Sequence, residues 1–156
     1  MLLYLMRHGH AEEHHPEGDA GRRLTSYGEQ GVQRAAERLR SMGISFDRII
    51  ASPYPRAVRT ATIAAGVTGY KGEILHDERL IPSGRFAGIS DLAREHSDVE
   101  SLLLTGHQPL IGEAAAMLTA EGGLRLAVTP GTVIIVEIAG FRPHAHGTLL
   151  GMYGGE

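Results

Sequence analysis

The sequence has no cysteine. That excludes disulfides, thiolate nucleophiles and thiolate metal sites together, and it is compatible with a reducing compartment. Any metal ligand would have to be His, Asp or Glu. A surplus of positive charge is also missing: 15 Lys and Arg stand against 18 Asp and Glu, a formal net charge of −3. No general basic field is on offer to the backbone of nucleic acid, so a site for an anion must be built locally. Long apolar runs are absent as well. The amino-terminal run Met1 to Met6 ends at Arg7, far short of the ~20 apolar residues of a spanning helix. It has neither the charged leading region nor the cleavage pattern of a secretory signal. These absences predict a cytoplasmic protein that engages neither nucleic acid nor membrane.

What is present is ordinary for a soluble globular chain: 156 residues, 42% hydrophobic and 21% charged. Domains most often run to roughly 100–150 residues, so one domain over 1–156 is expected. Leu2 to Met6 reads as a strand buried on both faces, opening directly into Arg7-His8-Gly9. Residues 10–24, broken by Pro16 and Gly18, read as a loop. Thr25 or Ser26 can cap a helix to about Met42, with Glu29 three residues after Ser26 in capping-box spacing and Gly43 as the stop.

Phe46 to Ala51 is a second strand, halted by Pro53 and Pro55, and a helix follows from Pro55 to about Ala65. Ile74-Leu75 is a weak strand, Ile89 to Glu95 a helix, Ser101 to Thr105 a buried strand and Pro109 to Thr119 a helix. Thr132 to Ile138 is the strongest strand signal, and His146 to Tyr153 supplies a last one. The glycine-rich tail from Gly151 to Glu156 reads as frayed. Alternation of this kind predicts an α/β fold: a single three-layer domain, its mostly parallel central sheet flanked by helices on both faces.

In such sheets ligands bind beyond the carboxyl ends of strands. Three segments that follow strands stand out: Arg7-His8-Gly9, Ser52-Pro53-Tyr54-Pro55-Arg56 and Gly106-His107-Gln108-Pro109. If their strands are parallel neighbours, two guanidiniums and two imidazoles meet in one pocket. Arginine's planar fork matches phosphate oxygens, histidine serves as nucleophile or donor, and a helix starting at Pro109 points free N–H groups at an anion. Read singly, each residue has a plain structural role: Arg7 a charge at a strand end, His8 a structural or solvent-facing ring, His107 a cap at a helix start. Arg56 and Arg59 can both be the charged face of a helix, and Arg59 is read as that. Only the combination points to a dianionic phosphate.

These three motifs, in order and in register, resemble those of the histidine phosphatase superfamily: an RHG after the first strand, SPxxRAxxTA (Ser52 to Ala61) and GHxP. Chain length, Leu24-Thr25-Ser26-Tyr27-Gly28 before the first helix and Pro82-Ser83-Gly84 make the chain similar to the short SixA-type phosphohistidine phosphatases. The resemblance covers almost the whole chain and implies a phosphoglycerate mutase-like fold. It implies that His8 attacks phosphorus in line and forms a phosphohistidine that water hydrolyses, while Arg7, Arg56 and His107 bind the non-bridging oxygens. Gly9, through backbone conformation, and Gln108 join them as expected substrate-binding positions; Arg22 and Arg23, just before Leu24-Thr25, read either as substrate-binding residues at the pocket rim, touching phosphate or an acidic partner, or as a solvated loop pair.

Mutases and larger esterases of the superfamily carry a glutamate after the second arginine motif, to protonate an alkoxide. Glu78 lies nearby in a context that does not match, and it is not counted as the acid. Alkoxide is a poor leaving group, as the ~15.7 pKa of water indicates, whereas imidazole accepts a proton near neutrality. The expected substrate is therefore phosphohistidine in a protein, or another phosphoramidate; a chain without a long lid-forming insertion suits a protein side chain. The rivals are a small phosphate-ester phosphatase or mutase, a phosphate-sensing or protein-binding module, and a histidine-based metal carrier. His10, His14 and His15, with His144 and His146 near the end, lack helical i, i+4 pairing with a third ligand. No metal or other cofactor is expected.

Overall fold

The computed structural model describes residues 1–155. In chain order its elements are β1 (Leu2–Arg7), α1 (Ser26–Ser41), β2 (Arg48–Ala51), α2 (Pro55–Thr68), β3 (Ile74–His76), α3 (Phe86–Glu95), β4 (Ser101–Gly106), α4 (Leu110–Ala120), β5 (Val133–Gly140) and β6 (His146–Tyr153). The strands form one mixed sheet in the order β3-β2-β4-β1-β5-β6. From β3 through β1 neighbours run parallel; β5 is antiparallel to β1, and β6 to β5. The chain is thus a single α/β domain of three layers, and the sheet is mixed because its last two strands form a hairpin.

The alternation of side chains along β1 divides the core. Leu3 and Leu5 pack with Leu102 and Leu104 of β4 against Ile89 and Leu92 of α3 and Leu110, Ile111 and Leu118 of α4. Tyr4, Met6 and Leu103 face the other way, against Val32, Ala36 and Leu39 of α1 and Ala61 and Ala64 of α2. The five leucines at the sheet centre are fully buried. Truncating any one to Ala costs about 2–5 kcal/mol, a large share of the roughly 5–15 kcal/mol that holds a domain folded. The strands that end at the candidate site are therefore the least free to move.

Several local expectations are corrected. The segment 10–24 is not featureless: Ala11 bridges to Leu24 and Asp19–Gly21 forms a 3-10 turn. Thr25 is the N-cap of α1, its Oγ1 accepting from Gly28 N at 3.0 Å. Glu29 completes no capping box, because with Thr25 as the cap the N3 position falls on Gly28; its carboxylate accepts from Arg59 Nε at 2.5 Å. The tail does not fray over Gly151 to Tyr153, which pair as the end of β6, and Gly155 is buried. Backbone against backbone explains that burial: a Cβ on Gly155 would lie 2.6 Å from Gly131, and one on Gly31 would lie 2.9 Å from Gly155 O. Glu156 lies outside the described residues.

Candidate active site

β2, β4 and β1 are adjacent and parallel, so their carboxyl ends open on one edge. The ladder continues into the segments beyond them. His8 N donates to Gly106 O at 2.9 Å and Ser52 N to Thr105 O at 2.9 Å, while Arg7 N reaches Thr132 O at 3.0 Å. His8, Ser52 and His107 each directly follow a strand, and Arg56 stands in the first turn of α2.

The His8 ring is buried, and its Nδ1 lies 2.7 Å from Gly9 O. A carbonyl only accepts, so Nδ1 carries the proton and Nε2 keeps its lone pair. Nε2 in turn accepts from Arg56 Nε at 3.3 Å. Burial, followed by the charges of Arg56, Arg7 and Arg22, pushes His8 down to about 4 against the partial support of Gly9 O. The ring is a neutral, oriented base at neutral pH.

His107 stands 5.0 Å from His8, centroid to centroid, with planes at 60°. Its Nε2 lies 2.8 Å from Ser52 Oγ, and its Nδ1 is buried with no hydrogen-bond partner among the described residues. Burial, then the neighbouring His8 and Arg56, push it down to about 3, with Asp19 opposing. Arg56 is buried, its guanidinium 5.2 Å from the centroid of the Tyr54 ring, and Tyr54 meets His107 edge-on at 5.2 Å. Arg7 Nη1 donates to Val128 O at 2.7 Å, which fixes that side chain from the loop before β5.

The other predicted positions divide. Gly9 belongs to the cluster through its backbone: its N donates to Thr60 Oγ1 at 3.1 Å, and a Cβ there would lie 2.7 Å from Val32 Cγ2. Arg22 reaches the site's rim, donating from Nε to Glu12 O and from Nη1 to Asp19 Oδ1 at 2.9 Å. Arg23 is exposed, and its backbone N donates to Glu12 Oε1 at 2.7 Å. Gln108 turns to its own helix, where Oε1 accepts from Gly112 N at 2.8 Å.

That contact narrows the expectation of free N–H groups at α4, for Gly112 N is held by Gln108 and Ile111 N by His107 O at 2.9 Å. Glu78 is exposed in a 3-10 turn after β3. His10 Nδ1 lies 2.8 Å from Thr25 Oγ1, and His144 Nδ1 lies 2.8 Å from Ala145 O. Among the described residues no group of three or more His, Asp or Glu side chains is placed to hold a metal ion. No helix among them is long and apolar enough to cross a membrane.

Three residues at the site were not among those singled out from the sequence. Ser52 holds His107, Thr60 holds Gly9, and Asp19 holds Arg56, with its backbone O at 2.6 Å from Nη1 and Oδ2 at 3.1 Å from Nη2. Ser52 and Thr60 lie inside the SPxxRAxxTA segment, which was their signal. Asp19 had only an acid three residues before Arg22.

Two neutral imidazoles among guanidiniums at the carboxyl edge of a doubly covered α/β sheet have the chemistry of a phosphoryl-transfer site. The chain matches the histidine phosphatase superfamily (branch 1) over residues 3–119 and belongs to that superfamily. It is 33% identical over 127 residues to a phosphohistidine phosphatase SixA homolog of Haemophilus influenzae, covering 76% of this chain and 77% of the relative. It is also 40% identical over 83 residues to a probable phosphoglycerate mutase GpmB of an Enterobacter species, covering 51% of this chain but only 37% of the mutase. Its fold matches that of the protein histidine phosphatase SixA complexed with tungstate, with a TM-score of 0.89 and 24% identity over 99% of this chain and 97% of the other.

Proposed function

We propose that this protein is a phosphatase that removes the phosphoryl group from phosphohistidine in a partner protein, through a phosphohistidine formed on His8. The observation that carries the reading is the orientation of His8: Nδ1–H on Gly9 O and an unprotonated Nε2 facing Arg56. A phosphoryl oxygen entering the pocket takes the Arg56 Nε–H and thereby uncovers the Nε2 lone pair. Nε2 then attacks phosphorus in line; the free ring nitrogen of the substrate phosphohistidine has taken a proton from water, so the new N–P bond forms as the old one breaks and the substrate imidazole departs neutral. A water molecule next cleaves the bond to His8 and yields inorganic phosphate. Arg7, Arg56 and His107 hold the three oxygens throughout.

Proton supply supports this substrate class. The carboxylate in contact with Arg56 is Asp19, held below the usual carboxylate range first by the hydrogen bond from Arg22 and then by that from Arg56. It is ionised at neutral pH and has no proton to give, while Glu78 is exposed in its turn. Imidazole leaves with little acid assistance and alkoxide does not. The SixA-named relative supports the same reading, and this function fits a cytoplasmic location. The mutase relative supports a second one, turnover of small phosphate esters. The test is to incubate the protein and H8A with a phosphohistidine-bearing phosphocarrier and with p-nitrophenyl phosphate. Phosphate release from the carrier by the parent alone is expected; equal release by H8A sinks the assignment, and faster release from the ester selects the second reading.

A further inference from the structure

Asp19 begins the 3-10 turn Asp19–Gly21, in the segment joining β1 to α1. It grips Arg56 twice, by backbone O and by Oδ2, and its Oδ1 accepts from Arg22 Nη1. Both terminal nitrogens of Arg56 are thereby fixed while Nε faces His8. The pair is asymmetric: the Arg56 side chain is 3% exposed and that of Asp19 57%. A half-exposed carboxylate therefore stands over the buried guanidinium of Arg56, with both of its oxygens on arginines.

We propose that Asp19 is a positioning residue that aims Arg56 and Arg22 at the phosphate seat, and that its negative charge keeps the seat from retaining inorganic phosphate. The proposal rests on the reading that this seat takes a phosphoryl group. Arg7, Arg22 and Arg56 all act on His8, and a pocket with three guanidiniums and no counter-charge holds a product dianion as firmly as a reacting phosphoryl group. Binding both equally well gives no acceleration and slows release. A fixed carboxylate opposes the free dianion, and because arginine does not lose its proton in proteins, Asp19 stays ionised whether the seat is full or empty.

The test compares the parent, D19N and D19A by calorimetric titration with inorganic phosphate, by thermal melting, and by kcat and KM on the phosphocarrier. D19N keeps a side-chain oxygen for Arg56 and loses the charge. It is expected to bind phosphate about tenfold more tightly, the ratio that 1.4 kcal/mol represents, and to lower KM and kcat together, the pattern of slowed release. D19A also loses the aim, and its kcat/KM is expected to fall about a further tenfold. A purely structural role would lower the melting temperature of both variants without tightening phosphate. Phosphate affinity in D19N equal to or weaker than the parent's overturns the proposal, even if the carrier is dephosphorylated normally. Tightening in D19N with no turnover of the carrier by the parent overturns the substrate reading and leaves Asp19's role standing.

Discussion

The rings of His8 and His107 meet with centroids 5.0 Å apart, delivered by the adjacent parallel strands β1 and β4. Two imidazoliums at that distance, beside buried Arg56, would be three like charges in a space with little water. The fold resolves this by keeping both rings neutral, and burial is the largest cause in each case.

The first consequence is an activity profile displaced toward acid. A histidine of ordinary pKa, ~6.5, would lose its nucleophilic form just below neutrality. His8, held down to about 4, keeps its lone pair well below that. The acid limb of kcat/KM on the phosphocarrier is expected nearer pH 4 than pH 6.5. A half-maximal point at 6.5 would show that His8 is not the group being titrated.

Stability carries the opposite sign. Both rings have folded-state pKa values, about 4 and about 3, below the unfolded value. The unfolded chain therefore takes up protons first as the pH falls. The contribution of the neutral rings is fully present above about 6.5 and is lost between there and pH 4 to 3, roughly 3 kcal/mol for the His8 shift and roughly 5 kcal/mol for the larger His107 shift, each taken singly. Urea unfolding of the parent at pH 7 and pH 4.5, set against H107N, should show the smaller pH dependence in the variant.

Thr60 links Gly9 to α2, accepting from Gly9 N at 3.1 Å and donating to Arg56 O at 2.8 Å, with no exposure to solvent. T60V keeps the shape and leaves a buried N–H without its acceptor, at a cost of about 1–3 kcal/mol. Because Gly9 O orients His8, turnover is expected to fall with stability, and T60S should restore both. The measurement is urea unfolding beside kcat/KM; a T60V variant that loses stability but keeps kcat/KM would separate Thr60 from the site.

The layers and the candidates His8, Arg56 and His107 were legible because each rests on a strong local signal, whereas their meeting hung on a strand adjacency that the sequence left as a condition. Continuous apolar runs marked β1 and β4 as buried strands, and their parallel adjacency brings the residues after them together. What escaped was set by tertiary partners. Glu29 had capping-box spacing from Ser26, yet Arg59 of another helix takes its carboxylate. Gln108 sits beside His107 in sequence, but an open N–H at Gly112 draws its side chain away. Asp19 lies in a turn that meets Arg56, 37 residues further on, and no local pattern announces such a contact. Gly155 reads as tail until Gly131 and Gly31 provide a seat for bare backbone.

Gly28 is where α1 closes on the first motif. A Cβ there would lie 1.9 Å from His10 O, and the obstacle is backbone, so neither side can rotate away. Thr25 N also donates to His10 O at 3.0 Å, tying the start of the helix to the residue after Gly9. G28A is expected to cost about 3 kcal/mol or more, at or beyond the upper end for overpacking, and to lower the melting temperature far more than G66A. Gly66 lies in the exposed part of α2 with open space around it, where Ala is the better helix former. Equal melting temperatures for the two variants would refute the close approach.

Ser52 stands where it can set which nitrogen of His107 donates. Its Oγ already accepts from Tyr54 N at 3.3 Å, and its hydroxyl proton is free to point at His107 Nε2, 2.8 Å away. With Nε2 accepting, Nδ1 carries the ring proton, and that buried nitrogen, without a partner among the described residues, becomes a donor for an anion's oxygen. The alternative tautomer would turn a lone pair toward the anion and repel it. S52A removes the donor that selects between them at the loss of a single oxygen atom. It is expected to weaken inorganic phosphate binding and to lower kcat/KM about tenfold, the equivalent of one hydrogen bond of about 1.4 kcal/mol, while H8A retains phosphate binding and loses turnover. Calorimetry with phosphate separates the two variants; unchanged phosphate affinity in S52A would mean that His107 does not donate to the bound anion through Nδ1.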